Sequence, residues 1–245
     1  MKTVGLIPAR INSSRLFGKA LIKIEGTPMV IHTYKRALKS KKLDELYICT
    51  DSKEIFEAAK QYNCQVILTG KHQTGTDRIS EASRKLKKKF DFYVDIQGDE
   101  PLINPNHIDR LVTWHSKNKY YDVVVPSMKM NSRQDDPNIV KIISSNYKII
   151  YMTRSKAPYP FLKPVDYFKH LSIISFKPNA LKKFGQLKQS PIEKIESVEL
   201  MRALENGFKM GTFYLNGESF SVDTPLDLKR AKKFLLDEKN NKKKI

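Results

Sequence analysis

Three short segments concentrate residue types suited to phosphate chemistry. The first, Pro8-Ala9-Arg10-Ile11-Asn12-Ser13-Ser14-Arg15-Leu16-Phe17-Gly18-Lys19, places three cations and three small polar side chains in a dozen residues. Arginine gives planar, multidentate contacts to phosphate oxygens, and lysine gives a compact charge. Gly18-Lys19 runs into Ala20 without the upstream glycine of a Walker A loop, and no GxGxxG is present here. On charge alone, a polyanion site and an ordinary basic loop both remain open. The second segment, Gln97-Gly98-Asp99-Glu100-Pro101, follows the apolar run Phe92–Ile96. A carboxylate at a strand end suits Mg²⁺, which needs only one or two protein carboxylates beside phosphate oxygens. Asp223 is a candidate partner, although Asp223-Thr224-Pro225 also reads as a helix start with Thr224 as cap. The third, His72-Gln73-Thr74-Gly75-Thr76-Asp77-Arg78, is a Gly-Thr loop leading into a helix, where backbone N–H groups can meet a base or phosphate. His72 reads as a solvated loop histidine with no carboxylate to orient it.

The elements that must position these loops follow from hydrophobic spacing. Val4–Ile7, Leu46–Thr50, Gln65–Leu68, Phe92–Ile96 and Val123–Pro126 are short apolar runs. Helical stripes separate them: Met29, Ile31, Tyr34, Ala37 and Leu38; then Ile55, Ala58, Ala59 and Tyr62, with Asp51 and Glu54 spaced as a capping box; then Ile108, Leu111, Val112 and His115. Such alternation predicts a doubly wound, mostly parallel α/β sheet with both faces covered and ligands beyond the strand carboxyl ends. From about residue 137 the rhythm changes. Ile139–Ile143 and Ile149–Thr153 flank Ser144-Ser145-Asn146 as a hairpin, and Leu171–Phe176 reads as a strand. Helices at Pro178–Phe184 and Glu193–Asn206, strands at Met210–Leu215 and Phe220–Val222, and a helix from Pro225 complete the pattern. The reading is one domain, 1–245, with an inserted antiparallel lobe at about 137–176.

Composition narrows the class. At 245 residues and 40% hydrophobic, the chain can bury a full core, and no run approaches the ~20 apolar residues of a bilayer span. The first apolar segment is short and broken by Pro8, so it reads as a strand rather than a signal peptide. Cys49 and Cys64 form no disulfide framework or metal spacing, which makes cytosol the expected compartment. The net charge of +19 lies largely in scattered lysines and a Lys-rich tail, read as solvated faces. A nucleic-acid module would use that charge but leave Asp99, Glu100 and Asp223 unexplained.

In this order, the segments at 8–19, 72–78 and 97–101 resemble the 3-deoxy-manno-octulosonate cytidylyltransferase family. So do Lys169-His170-Leu171, the Ser190-Pro191 to Arg202 segment with Glu193, Glu196 and Glu199, and Val222-Asp223-Thr224-Pro225. The resemblance runs nearly end to end. It implies a homodimeric, nucleotide-diphospho-sugar transferase-like enzyme that couples CTP to an ulosonic acid for lipopolysaccharide or capsule, without nucleic-acid or membrane partners. Arg10, Arg15 and Lys19 would grip the triphosphate, with Asp99 also catalytic. Pro8, Ala9, Ser13, Ser14, Gln73, Gly75, Thr76 and Arg78 would complete the nucleotide site. Asp99 and Asp223 would hold Mg²⁺, and Gln97, Arg154, His170 and Glu199 would line the sugar pocket, Arg154 suiting the sugar carboxylate. The family's tyrosine and glutamine at 174 and 200 are Ile174 and Leu200 here, and Phe17 replaces a proline. Loss of two polar groups on the sugar side can change the preferred sugar. Lys-His-Leu and Gly-Thr-Asp-Arg also resemble variants that use the 8-amino analogue, and a sialic-acid-type enzyme is a further rival.

Overall fold

The computed structural model describes residues 1–12, 16–219 and 221–242. In chain order the first elements are β1 (Thr3–Ala9), β2 (Lys23–Ile24), β3 (Thr27–Pro28), α1 (Met29–Ala37), β4 (Glu45–Thr50), α2 (Lys53–Gln61), β5 (Val66–Leu68) and α3 (Gly75–Lys85). Then come β6 (Phe92–Ile96), α4 (Pro105–Lys117), β7 (Val123–Val124), β8 (Ser127–Lys129), β9 (Lys141–Ser145), β10 (Lys148–Thr153), β11 (Phe168–His170) and β12 (Ile173–Phe176). The last are α5 (Pro178–Phe184), α6 (Pro191–Glu196), α7 (Met201–Glu205), β13 (Met210–Gly211) and α8 (Pro225–Lys242).

Eleven strands form one sheet in the order β5-β4-β1-β6-β12-β7-β13-β10-β9-β11-β8. Parallel pairing joins β5, β4, β1 and β6, and also β7 with β13. Beyond β6 the other pairs are antiparallel, beginning with β12, where Ile174 faces Asp95. Because helices cover both faces, alternate residues of β1 serve two cores. Val4 and Leu6 join Ile79, Ala82, Leu181 and Phe184 from α3 and α5. Ile7 joins Val30, Ile31, Ile55, Ile108 and Leu111 from α1, α2 and α4. That double burial explains why the parallel strands read as continuous apolar runs.

Several boundaries differ from the sequence reading for identifiable reasons. The cap of α2 is Ser52, whose Oγ accepts from Ile55 N at 3.2 Å, because Asp51 is drawn away to Arg78 at 3.1 Å. The hairpin turns at Asn146-Tyr147, both at positive φ (48° and 64°), as a two-residue turn of the twist-matched kind requires. The expected helix over 193–206 is two helices, α6 and α7, parted at Ser197 with φ of 51°. Leu171 and Ser172 precede β12 and do not belong to it, and the strand expected at 210–215 shrinks to β13. Ser221 and Val222 are not in a strand, and Phe220 lies outside the described residues.

Candidate functional site

The carboxyl ends of β1 and β6 and the start of the antiparallel β12 meet at one cleft of about 620 Å³. Ligand sites commonly span ~300–1,000 Å³. Its wall includes Pro8, Ala9, Arg10, Lys19, Gln73, Gly75, Arg78, Gln97, Asp99, Arg154, His170, Glu199 and Asp223. Thus segments spread over most of the chain converge. Ser13, Ser14 and Arg15 lie outside the described residues. Of the other expected site residues, only Thr76 is off the wall: its N and Oγ1 donate to Glu199 at 3.1 and 2.9 Å.

At the end formed by the first loop, the geometry is one of opposed charges. Lys19 Nζ donates to Asp99 Oδ2 at 2.7 Å and to Asp223 Oδ1 at 3.1 Å. Burial alone would lower the Lys19 pKa, but the two carboxylates outweigh it and hold the ammonium above its usual value. The two acids come together because their segments are stitched by backbone. Val222 N donates to Asp99 O at 2.9 Å. Buried Glu100 accepts from Ser219 Oγ at 3.0 Å and Ser221 Oγ at 3.3 Å, and Ser172 and Ser221 hydroxyls meet at 3.1 Å. Gly98 permits this closeness, since a Cβ there would lie 2.9 Å from Pro8 O. The Asp223 segment does two things in space. Thr224 Oγ1 accepts from Asp227 N at 3.2 Å as a cap of α8, while Asp223 faces Lys19 and Asp99.

Next to these charges, Arg10 Nη1 donates to Gln73 O at 3.4 Å, and Thr74 caps α3 by accepting from Asp77 N at 3.2 Å. Arg78 is almost fully buried and is engaged by Asp51 at 3.1 Å and Thr69 Oγ1 at 2.7 Å, so it braces the strand ends while touching the cleft. His72 differs from expectation. Its Nε2 is 2.5 Å from Glu81 Oε2, a carboxylate nearly two helical turns into α3 that sequence spacing did not reveal. Burial would raise the Glu81 pKa, but bonds from Lys85, His72 and Gly70 bring it down to about 2.

The opposite end is oriented by neutral groups and helix ends. Arg154 Nε donates to Glu196 O at 2.7 Å, Nη2 to Ser197 O at 2.9 Å and Nη1 to Pro137 O at 2.8 Å. The first two are carbonyls freed where α6 stops, which a guanidinium satisfies well. The Glu196 carboxylate accepts from Arg154 N at 2.9 Å and Thr153 Oγ1 at 2.7 Å, fixing the backbone too. Burial pushes His170 down to about 4, so its ring is neutral near pH 7, and Nδ1 lies 3.0 Å from Leu171 O. Burial raises Glu199 despite its bonds from Thr76. Val140, Met152, Ile174, Val198 and Leu200 add an aliphatic wall. The part played there by Val140, Met152 and Val198 had no sequence signal, because core aliphatics look alike whether or not a cleft touches them.

Two carboxylates aimed at one point from separate segments match the sparse protein contribution of a Mg²⁺ site completed by phosphate oxygens. Among the described residues, no group of three or more His, Cys, Asp or Glu gathers as a closed metal cage. No described helix is long and apolar enough to cross a membrane.

Comparison with known proteins identifies the family. The family model for cytidylyltransferases matches residues 4–213. The 3-deoxy-manno-octulosonate cytidylyltransferase of Fusobacterium nucleatum is 37% identical over 94% of this chain and 96% of its own length. The mitochondrial protein of the same name from Arabidopsis thaliana is 37% identical over 98% of this chain and 84% of its length. A solved structure of CMP:2-keto-3-deoxy-manno-octonic acid synthetase complexed with CTP overlays with a TM-score of 0.91 at 32% identity, covering 97% of this chain and 100% of that one. A Leptospira borgpetersenii cytidylyltransferase, 20% identical with a TM-score of 0.63, shares the fold. The chain is a nucleotidyltransferase and belongs to the 3-deoxy-manno-octulosonate cytidylyltransferase family.

Proposed function

We propose that the protein transfers CMP from CTP to 3-deoxy-D-manno-octulosonate or a close ulosonic acid, releasing pyrophosphate. The observation that carries this reading is the single cleft with Lys19, Asp99 and Asp223 at one end and Arg154 at the other. The sugar's anomeric hydroxyl attacks the α-phosphorus, and the bond to the β-phosphate oxygen breaks. Arg10 and Lys19, with Arg15 from the same loop, bind and orient the triphosphate and offset charge on the transferring phosphate. Pro8, Ala9, Gln73 and Gly75 shape the space for the base. Mg²⁺ held by Asp99 and Asp223 would supply further positive charge against the phosphates. Arg154, already set by backbone carbonyls, meets the sugar carboxylate, while Gln97, neutral His170 and Glu199 contact its hydroxyls.

The aliphatic Ile174 and Leu200, both buried on the cleft wall, favour keeping a second acceptor in view, the 8-amino analogue. We further propose a homodimer formed through the lobe at about 137–176, supported by the strong exposure of Tyr159, Phe161 and Leu162 (82%, 83% and 91%). Sedimentation at micromolar concentration should give twice the chain mass; a monomer would reject it.

The test is pyrophosphate release with CTP and Mg²⁺ across the octulosonate, its 8-amino analogue and a sialic acid. Turnover of either octulosonate supports the reading. Turnover of the sialic acid alone, or of none, overturns it.

A further inference from the structure

One buried acid beside the cleft has no place in the chemistry described so far. Asp95 sits in the middle of the sheet on β6, between Leu6 of β1 and Ile174 of β12, and is 0% exposed. Its Oδ2 accepts from Gln97 Nε2 at 2.9 Å, whereas its Oδ1 has no hydrogen-bond partner among the described residues. A polar atom buried without a partner is costly, and the aliphatic Ile174 opposite offers none. Residues two apart on an extended segment share a face, so Asp95 lies directly beneath Gln97.

We propose that Asp95 is a positioning residue for the acceptor sugar: it holds the Gln97 amide with its NH₂ turned inward, so that the amide's carbonyl oxygen faces the cleft. The inference rests on the reading that Gln97 touches the sugar. An unrestrained glutamine amide presents donor or acceptor about equally well, and the two ends differ in which hydroxyl geometry they accept. A fixed acceptor beneath the sugar instead selects a hydroxyl that donates there.

The state of Asp95 fits the role. Burial, then the nearby Glu199 and Asp99 carboxylates, raise its pKa well above the usual range, against the single bond from Gln97. Burial therefore favours its neutral form. With the proton on Oδ1, its Oδ2 is a carbonyl-like acceptor with the shape and charge of an amide oxygen. An asparagine at 95 would reproduce that acceptor, and an alanine would remove it.

The experiment is steady-state kinetics with 3-deoxy-D-manno-octulosonate at saturating CTP, then with CTP varied. Asp95→Asn should keep both KM values within about twofold, as a neutral acceptor is retained. Asp95→Ala should raise the acceptor KM about tenfold and leave the CTP KM unchanged, the scale of one hydrogen bond. Gln97→Ala should raise the acceptor KM similarly, and Asp95→Ala combined with Gln97→Ala should be no worse than Gln97→Ala alone. Multiplying effects, or an equal rise in the CTP KM, would overturn the proposal. If Asp95→Ala fails to fold, the isosteric Asp95→Asn decides: a tenfold rise in its acceptor KM also overturns it. An unchanged acceptor KM in Gln97→Ala would remove Gln97 from the sugar site, and this inference with it. The pyrophosphate-release test of the reaction itself would be untouched.

Discussion

The two ends of the cleft solve different problems with different materials. Where the parallel strands end, binding groups are formal charges held against one another: Lys19 bridges Asp99 and Asp223 at 2.7 and 3.1 Å. Where the antiparallel strands begin, backbone carbonyls and neutral rings do much of the orienting, with the Glu196 carboxylate behind Arg154. Arg154 is held by backbone carbonyls, His170 is a neutral ring, and burial raises the pKa of Asp95 beneath Gln97. Charge suits a triphosphate, which any nucleoside triphosphate supplies. Shape and hydrogen-bond direction suit a sugar, which must be told from its near relatives. The difference teaches that conserving the reaction and changing the acceptor need not involve the same residues.

The sharpest way to break this division is at the charged end. Asp99→Asn should lower kcat by at least ~10³-fold while the fold survives, because the substitution is isosteric and the residue partly solvated. Circular dichroism with turnover measured in Mg²⁺ checks it, and retained activity would remove Asp99 from the metal site. Lys19→Met should cost about 10²-fold in kcat, since a cationic donor to the transferring phosphate is lost. If acceptor KM alone changed, the assignment of Lys19 to the triphosphate would fail.

At the neutral end a smaller, selective effect is expected. Ile174→Tyr combined with Leu200→Gln should shift relative kcat/KM towards the octulosonate over its 8-amino analogue by about tenfold, the worth of one or two hydrogen bonds. No shift would mean that these walls do not select the sugar.

A separate effect concerns stability. His115 is fully buried between Ser175 Oγ at 2.7 Å and Tyr121 O at 3.1 Å, and burial lowers its pKa to about 4. An unfolded histidine titrates near ~6.5, so the unfolded chain binds the proton first as pH falls. The stabilisation is therefore complete above that value and is lost between it and about 4. The unfolding free energy from urea titrations should fall over that window, by up to ~3 kcal/mol from this residue, and the slope should flatten in His115→Gln.

The same contrast explains what could be read before any coordinates. Gln97-Gly98-Asp99 and the Arg10 loop are legible because their work is local: a carboxylate or cation at a strand end with glycine beside it. Asp223-Thr224-Pro225 is ambiguous because a cap and a ligand are both physically reasonable there, and in the fold Thr224 is the cap while Asp223 pairs with Lys19. Arg154 could be named from the family resemblance, but its anchoring was hidden. It depends on the break at Ser197, inside a stretch whose periodicity continues through it. The Glu81 partner of His72 was hidden because the loop folds back onto α3. Asp95 was unreadable for a deeper reason. One acid in an otherwise apolar strand has no periodic signature, and its meaning appears only with the register that places Ile174 opposite it.

The division between the two ends is tested most directly by Arg154→Ala, with CTP affinity measured by calorimetry in Mg²⁺ and acceptor KM measured at saturating CTP. CTP should bind within about twofold of the unaltered protein while the acceptor KM rises by ~10²-fold, the loss of a charge-assisted carboxylate contact. Parallel weakening of CTP and sugar, or an unchanged acceptor KM, would contradict the account.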